Sequence, residues 1–270
     1  MNQRETIIKD LVKAREVVLS GGVNAIPSPF TRFRRDFPGI QRLYYVITGG
    51  TKASKTQLSQ FLFVFTPILY WLEHPDQISR PKIFMFPLEE SPRNITLRFY
   101  SFIINKISGI KISPLDLKSI DERRPLPEEV LEVMNTLEFA RYADAFEECV
   151  EFREESNPTG MYHVVKDYME KNGKIIYKDE EVTYTDDMGI KRTETIKSFD
   201  RYIPNDPNHY VFSIRDHVGL IDMEKGIISL KDAIERDSKN NVRLRNRYGV
   251  VCVGVQQQNS EKKYKNSLHI

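Results

Sequence analysis

Apolar residues recur at helical spacing between residues 4 and 19, where Ile7, Leu11, Val12 and Val18 share a face and Gly21 and Gly22 supply the stop. The spacing predicts an amphipathic helix. The stretch that follows, VNAIPSPFTRFRRDFPGI, is rich in proline and basic residues, has no period, and reads as an irregular lead-in. At Leu43 the pattern changes. LYYVIT is a short apolar run, a glycine-containing loop follows, and QLSQFLFVFTPILYWL has the continuous apolar character of a long buried helix.

The same alternation continues downstream. KIFMFPLEE (82–90) predicts a second buried strand, and Ser91 and Pro92 open a helix through INKIS. PEEVLEVMNTLEFARYA (127–143) predicts another helix, FEECVEF a weakly alternating strand, and NPTGMYHVVKDYMEKNG a loop and helix. YVFSIR (210–215) and YGVVCVGV (248–255) are short, fully apolar strands separated by a long polar helical segment. Buried strands alternating with helices imply an α/β fold of three layers, α/β/α, with a mainly parallel central sheet. Residues 174–203 break the pattern: they are polar, rich in Thr, Tyr and charge, and fold back at Asp187-Met188-Gly189, which predicts an inserted β-hairpin.

Composition narrows the class. At 270 residues, 40% hydrophobic and 29% charged, the chain can bury one substantial core, or one core and a small appendage. The longest apolar stretch, Phe61 to Leu72, contains Pro67 and falls short of the roughly 20 residues of a membrane span, so no membrane insertion is expected. The N-terminus mixes both charge signs and does not read as a secretory signal. Cys149 and Cys252 lie in apolar surroundings and predict buried thiols in a reducing, cytoplasmic compartment, rather than a disulfide or metal site. The net charge of +2 leaves any nucleic-acid surface to local patches, such as Arg32, Arg34 and Arg35 or Arg243, Arg245 and Arg247, although solvated faces explain such charge runs more often than not.

One segment carries chemistry by itself. VITGGTKASKTQL sets Gly49, Gly50, Thr51, Lys52, Ala53, Ser54, Lys55 and Thr56 between a buried strand and a helix, the context of a phosphate-binding loop. A polyphosphate is held by loop N–H groups, the positive end of the following helix and a lysine, while a Ser or Thr hydroxyl meets Mg²⁺. The glycine usual before that lysine is Ser54 here. A lysine-rich turn after a strand is the plain alternative.

Three further motifs resemble, in order, those of DnaB-type and other RecA-like ATPases. KIFMFPLEESPRNITLRFYSFIINKISGI resembles the second core strand with its "SLE"-type turn, which puts Glu89 at the family's catalytic glutamate. YVFSIRDHVGLI is similar to the Walker B segment, with Asp216 as the Mg²⁺ acid and His217 where many phosphate-loop motors have a glutamate. VCVGVQQQNSE resembles the strand ending in "SQLNR", with Gln257 as the γ-phosphate sensor and Gln256 and Gln258 as alternatives. The approach, GGVNAIPSPF, resembles the family's entry to its first strand. Taken singly, Glu89 and Glu90 also read as a solvated helix lead-in, Asp216 as a turn cap, and the glutamine triplet as a polar strand exit.

The resemblance implies an ATP-hydrolysing DNA helicase or single-strand DNA translocase. ATP and Mg²⁺ would be its cofactors, Lys55, Glu89 and Gln257 its catalytic residues, and Thr56 and Asp216 its metal ligands. It implies a homo-oligomeric ring, such as a hexamer, completed by a finger residue from a neighbour. Residues 1–20 then stand as a linker-like helix that docks on that neighbour or packs on its own core, and residues 21–270 as the ATPase core. The family's later strands, DNA loops and finger have no counterpart before Ile270, which fits a fragment or a reduced, phage-type stand-alone relative. A RecA-like regulatory or recombination ATPase is the second reading, and a terminase-type packaging motor the third, disfavoured by His217.

Overall fold

The computed structural model describes residues 3–185 and 187–258. The final stretch 259–270, with the end of the glutamine motif, lies outside the described residues, as does Asp186.

Helix α1 (Gln3–Leu19) precedes a two-residue antiparallel bridge, β1 (Ile26–Pro27) with β2 (Gly39–Ile40), within the irregular lead-in. The apolar stripe of α1 is not packed away on the chain's own core: Leu11 is 65% exposed, and Ile7, Val12 and Val18 are exposed beside it. Strand β3 (Tyr44–Gly49) then leads through the glycine-containing loop into one continuous helical run: α2 (Lys55–Gln60), a π-helical stretch Phe61–Phe65, and α3 (Thr66–Glu73). The π stretch ends one residue short of Pro67, whose missing N–H cannot continue the α ladder, and the Thr66 hydroxyl donates to the Phe61 carbonyl at 2.8 Å.

Strand β4 (Ser79–Pro87) is followed by α4 (Pro92–Ser108), with the Ser91 side chain accepting from the Asn94 N–H at its start. The single helix expected over 127–143 is two, α5 (Glu128–Met134) and α6 (Leu137–Cys149), because Thr136 caps a new helix by accepting from the Phe139 N–H. Helix α6 takes up most of the strand expected at FEECVEF, leaving only Val150–Phe152 as β5. After α7 (Pro158–Lys171) come the long strands β6 (Gly173–Thr185) and β7 (Lys191–Pro204), then β8 (His209–Asp216), α8 (Leu230–Tyr248) and β9 (Val251–Gln257). Tyr248, read as strand, ends α8 instead. Gly249 closes that helix at φ 70°, a left-handed position glycine adopts without Cβ strain.

The central sheet has the order β3-β9-β8-β4-β5, and every neighbouring pair is parallel. Its residues alternate between two cores. Ile83 and Met85 of β4 join Phe212, Ile214, Val251 and Val253 beneath α2–α6, while Phe84 and Phe86 meet α7 and α8 through Met161, Val165 and Leu244. Each buried Phe or Ile contributes about 1.5–3 kcal/mol, which is why strands covered on both faces read as unbroken apolar runs. The result is a three-layer α/β/α architecture.

Strands β6 and β7 form a separate antiparallel ribbon. Its base is anchored: the Tyr202 hydroxyl donates to the Met169 carbonyl at 2.8 Å, and Arg247 stacks over Phe199 at 5.2 Å. Further out, Tyr177, Tyr184 and Ile196 are exposed. The expected fold-back at Asp187-Met188-Gly189 falls in the loop between Thr185 and Lys191, with Gly189 at φ 79°. Strand β7 feeds the start of β8, so the ribbon leaves the sheet at the end opposite the glycine-containing loop.

Candidate active site

A parallel sheet covered on both faces leaves polar groups a place at the C-terminal ends of its strands. Three such ends meet here: β3 runs into the loop at Gly49, β4 ends before Glu89, and β8 ends at Asp216. Because β4 pairs directly with β8, Pro87 opposite Asp216, the turn carrying Glu89 and Glu90 lies beside that aspartate. Leu88 and Glu89 both donate backbone N–H groups to the Asp216 carbonyl, at 2.7 and 3.2 Å.

A cleft of about 400 Å³ lies between these ends, and Lys55, Thr56, Glu89, Glu90, Arg98 and Asp216 all line it. Lys55, at the start of α2, donates to the Gly50 carbonyl at 2.7 Å, so its ammonium rests on its own loop. The Thr56 hydroxyl donates to Asp216 Oδ1 at 3.3 Å. Exposed Lys52 and Ser54 stand at the rim. Helix α2 has no side-chain cap, which leaves its first amides to an incoming anion, and a Cβ at Gly50 would meet no protein atom within 4 Å.

Ser54 occupies the left-handed region, φ 54° and ψ 28°, and Lys52 does so at φ 61°. Glycine adopts this conformation freely, whereas serine is strained by roughly 1–2 kcal/mol. The substitution noted in the sequence therefore leaves the loop's backbone path intact at an energetic cost.

Asp216 is buried, and burial pushes its carboxyl up to about 6; the Thr56 hydroxyl opposes the rise, the charges of Glu89 and Glu90 add to it, and Arg98 opposes it. No group of three or more His, Cys, Asp or Glu suited to hold a metal ion occurs among the described residues. The donor set fits a hard divalent cation of the magnesium type, which takes one carboxylate and a hydroxyl from the protein and its other oxygens from phosphates and water.

Gln257 reaches the loop from β9: its side-chain amide donates to the Thr51 hydroxyl at 2.6 Å, and its backbone N–H donates to His217 Nε2 at 2.9 Å. It does not line the acidic cleft. His217 is thereby a packed connector between the ends of β8 and β9. Gln258 bonds Thr48 at 3.3 Å.

Two arginines escaped the sequence reading. Arg98 sits on α4 with its guanidinium paired to Glu90 and donating to Gln60 Oε1 at 3.3 Å. Its position nine residues past Glu89, on the inward face of a helix, was the only signal. Arg215, the residue before Asp216, is 0% exposed and turns to the other face of β8, where it pairs with Asp237 of α8 at 2.9 Å. Cys149 and Cys252 are buried free thiols, both pushed up to about 12 by burial, which leaves them inert near neutral pH. No helix among the described residues is long and apolar enough to cross a membrane.

No family model matches the chain, and no curated protein matches it by sequence. Solved structures do match in shape. A DnaB-like replicative helicase, described with its interactions with primase, superposes at TM-score 0.57 and 14% identity over 96% of this chain. A second structure, described as an ATPase domain, does so at TM-score 0.55 and 14% identity, again over 96%. The chain spans 49% of the length of the first and 74% of the second. The chain shares with these two structures the RecA-like three-layer α/β/α fold with a parallel central sheet.

Proposed function

We propose that this chain is an ATP-hydrolysing motor of the DnaB type, a helicase or single-stranded-DNA translocase acting in DNA replication. The observation that carries the reading is the convergence of Lys55, Thr56, Glu89 and Asp216 on one cleft at the C-terminal edge of the sheet. Lys55 leaves the Gly50 carbonyl for the β- and γ-phosphates, and the free amides of the loop and α2 hold the phosphate oxygens. Thr56 and Asp216 would hold Mg²⁺, which when bound neutralises charge on the phosphates. Glu89, exposed at the cleft, orients the attacking water and accepts its proton. Gln257, already on the loop at Thr51, reads whether the γ-phosphate is present.

The exposed apolar stripe of α1 supports a ring in which this helix docks on the neighbouring subunit. A neighbour's basic finger would complete each site. Residues 1–20 then act as a linker and 21–270 as the motor core, with the β6–β7 ribbon inserted.

The test is the ATPase rate with and without single-stranded DNA for the parent, Lys55→Ala and Glu89→Gln. We expect DNA-stimulated turnover in the parent and a loss of about 100-fold or more in both variants, with Glu89→Gln still binding ATP. Parent-like hydrolysis in Glu89→Gln removes that residue from the mechanism. Hydrolysis indifferent to DNA, with nucleotide-dependent oligomerisation, favours instead a regulatory ATPase that switches assembly state.

A further inference from the structure

Three carboxylates share the cleft, yet only one of the paired glutamates is free. Glu90 is in an ion pair with Arg98, and both side chains are partly buried. Among the described residues, no side-chain hydrogen bond or ion pair holds the Glu89 carboxylate, which is the more exposed of the two. The arginine is itself held from behind. Gln60, 1% exposed on the buried side of α2, presents Oε1 to the Arg98 guanidinium at 3.3 Å. That orientation is chemically required, since the amide's other end is a donor and would repel a guanidinium. Helix α2 begins with the phosphate-loop lysine and α4 follows the glutamate pair, so Gln60–Arg98–Glu90 ties together the two walls of the cleft.

Resting on the nucleotide-site reading above, we propose that Arg98 is a positioning residue: it holds Glu90 away from the phosphate and metal position and leaves Glu89 as the glutamate that meets water. Without the arginine, Glu90 adds an uncompensated negative charge beside Asp216 and the incoming polyphosphate.

The experiment measures binding of a fluorescent ATP analogue with magnesium to the full chain, together with kcat and KM for ATP. Arg98→Ala should weaken binding about tenfold, the size of one added like charge acting across a partly screened cleft. The double variant R98A/E90Q should return to within about threefold of the parent, because the charge that Arg98 restrained is gone. E90Q alone frees a cation in the cleft and should bind about threefold tighter at low salt, an effect that shrinks as salt rises. Equal weakening in R98A and R98A/E90Q would overturn the proposal, since a direct phosphate contact or a purely structural arginine gives no rescue. Should R98A fail to fold, E90Q still decides: weaker binding overturns the proposal and tighter binding supports it. The underlying site reading fails separately. It falls, and this inference with it, if the parent does not bind the analogue or if Lys55→Ala binds as the parent does.

Discussion

At the C-terminal ends of the sheet strands, Lys55, Glu89, Glu90, Arg98 and Asp216 crowd into a cleft walled by protein, whereas at the N-terminal ends the β6–β7 ribbon carries its charges out into water. The ribbon's contacts are cross-strand and local: Thr183 meets Thr193 at 3.0 Å, the Tyr184 hydroxyl donates to Glu194 at 2.7 Å, and Asp179 lies opposite Lys197. Each such pair is worth about 0.2–1 kcal/mol, and a lone two-stranded ribbon is marginal. In the cleft the interacting groups come from α2 and the loop before it, the turn after β4, α4 and β8, so one carboxyl is displaced by burial and two loop residues, Lys52 and Ser54, are held in left-handed conformations. Tertiary structure can hold groups in states they would not keep alone, and the ribbon has too few tertiary contacts to do so.

The largest effect expected from this contrast lies just behind the cleft. Asp237→Ala strands the fully buried Arg215 without its partner, which should cost about 3–5 kcal/mol in urea denaturation. A loss below about 1 kcal/mol would show that the strand bearing Asp216 is not locked from the α8 side.

Asp216 itself sharpens the comparison. Its carboxyl sits at about 6 in the folded chain against an ordinary 3.8. The folded state therefore binds the extra proton between these values: its contribution favours folding at acid pH and declines as pH rises through about 6. Asp216→Asn removes that penalty. Without nucleotide, the variant should be more stable than the parent by about 2 kcal/mol at pH 8 and by little at pH 3.5, while losing turnover. Thermal unfolding across that range checks it, and a pH-independent difference would refute burial as the cause.

Ser54→Gly relieves the left-handed serine at φ 54°, offset in part by the greater freedom of glycine in the unfolded chain. A gain of about 0.5–1 kcal/mol is expected, and a loss would mean that the serine side chain stabilises the loop. The smallest change is expected at the other end of the sheet. Replacing Lys178–Ser198 with an Asn-Gly turn, which keeps the Phe199 anchor, should alter the stability of the remaining chain by less than about 0.5 kcal/mol. A drop near 2 kcal/mol would reveal packing that erases the contrast.

Much of this was legible along the chain because the determining physics is local. The candidate phosphate loop is one contiguous segment, and the buried strands at YVFSIR and VCVGV announce themselves by being apolar on both faces. The ribbon is legible for the opposite reason, its polar alternation and its turn residues. Glu89 and Asp216 stood out as acids at strand ends. Arg98 did not, since nothing in the α4 pattern shows that its partners are Glu90 on the preceding turn and Gln60 on another helix. The Asn135–Thr136 break was missed because the apolar period runs across it, and only the Thr136 cap marks the new start.

The sequence by itself determined the alternation of buried strands and helices, apart from the break at Thr136 and the extent of β5, and it marked a candidate phosphate loop and candidate acids, because hydrophobic period and loop chemistry act over a few residues. Only the tertiary structure decided the order β3-β9-β8-β4-β5, which glutamate is free and which is held, and which face of β8 carries the buried pair. Those outcomes depend on burial and on contacts between residues far apart in the chain, as Thr56 and Asp216 are.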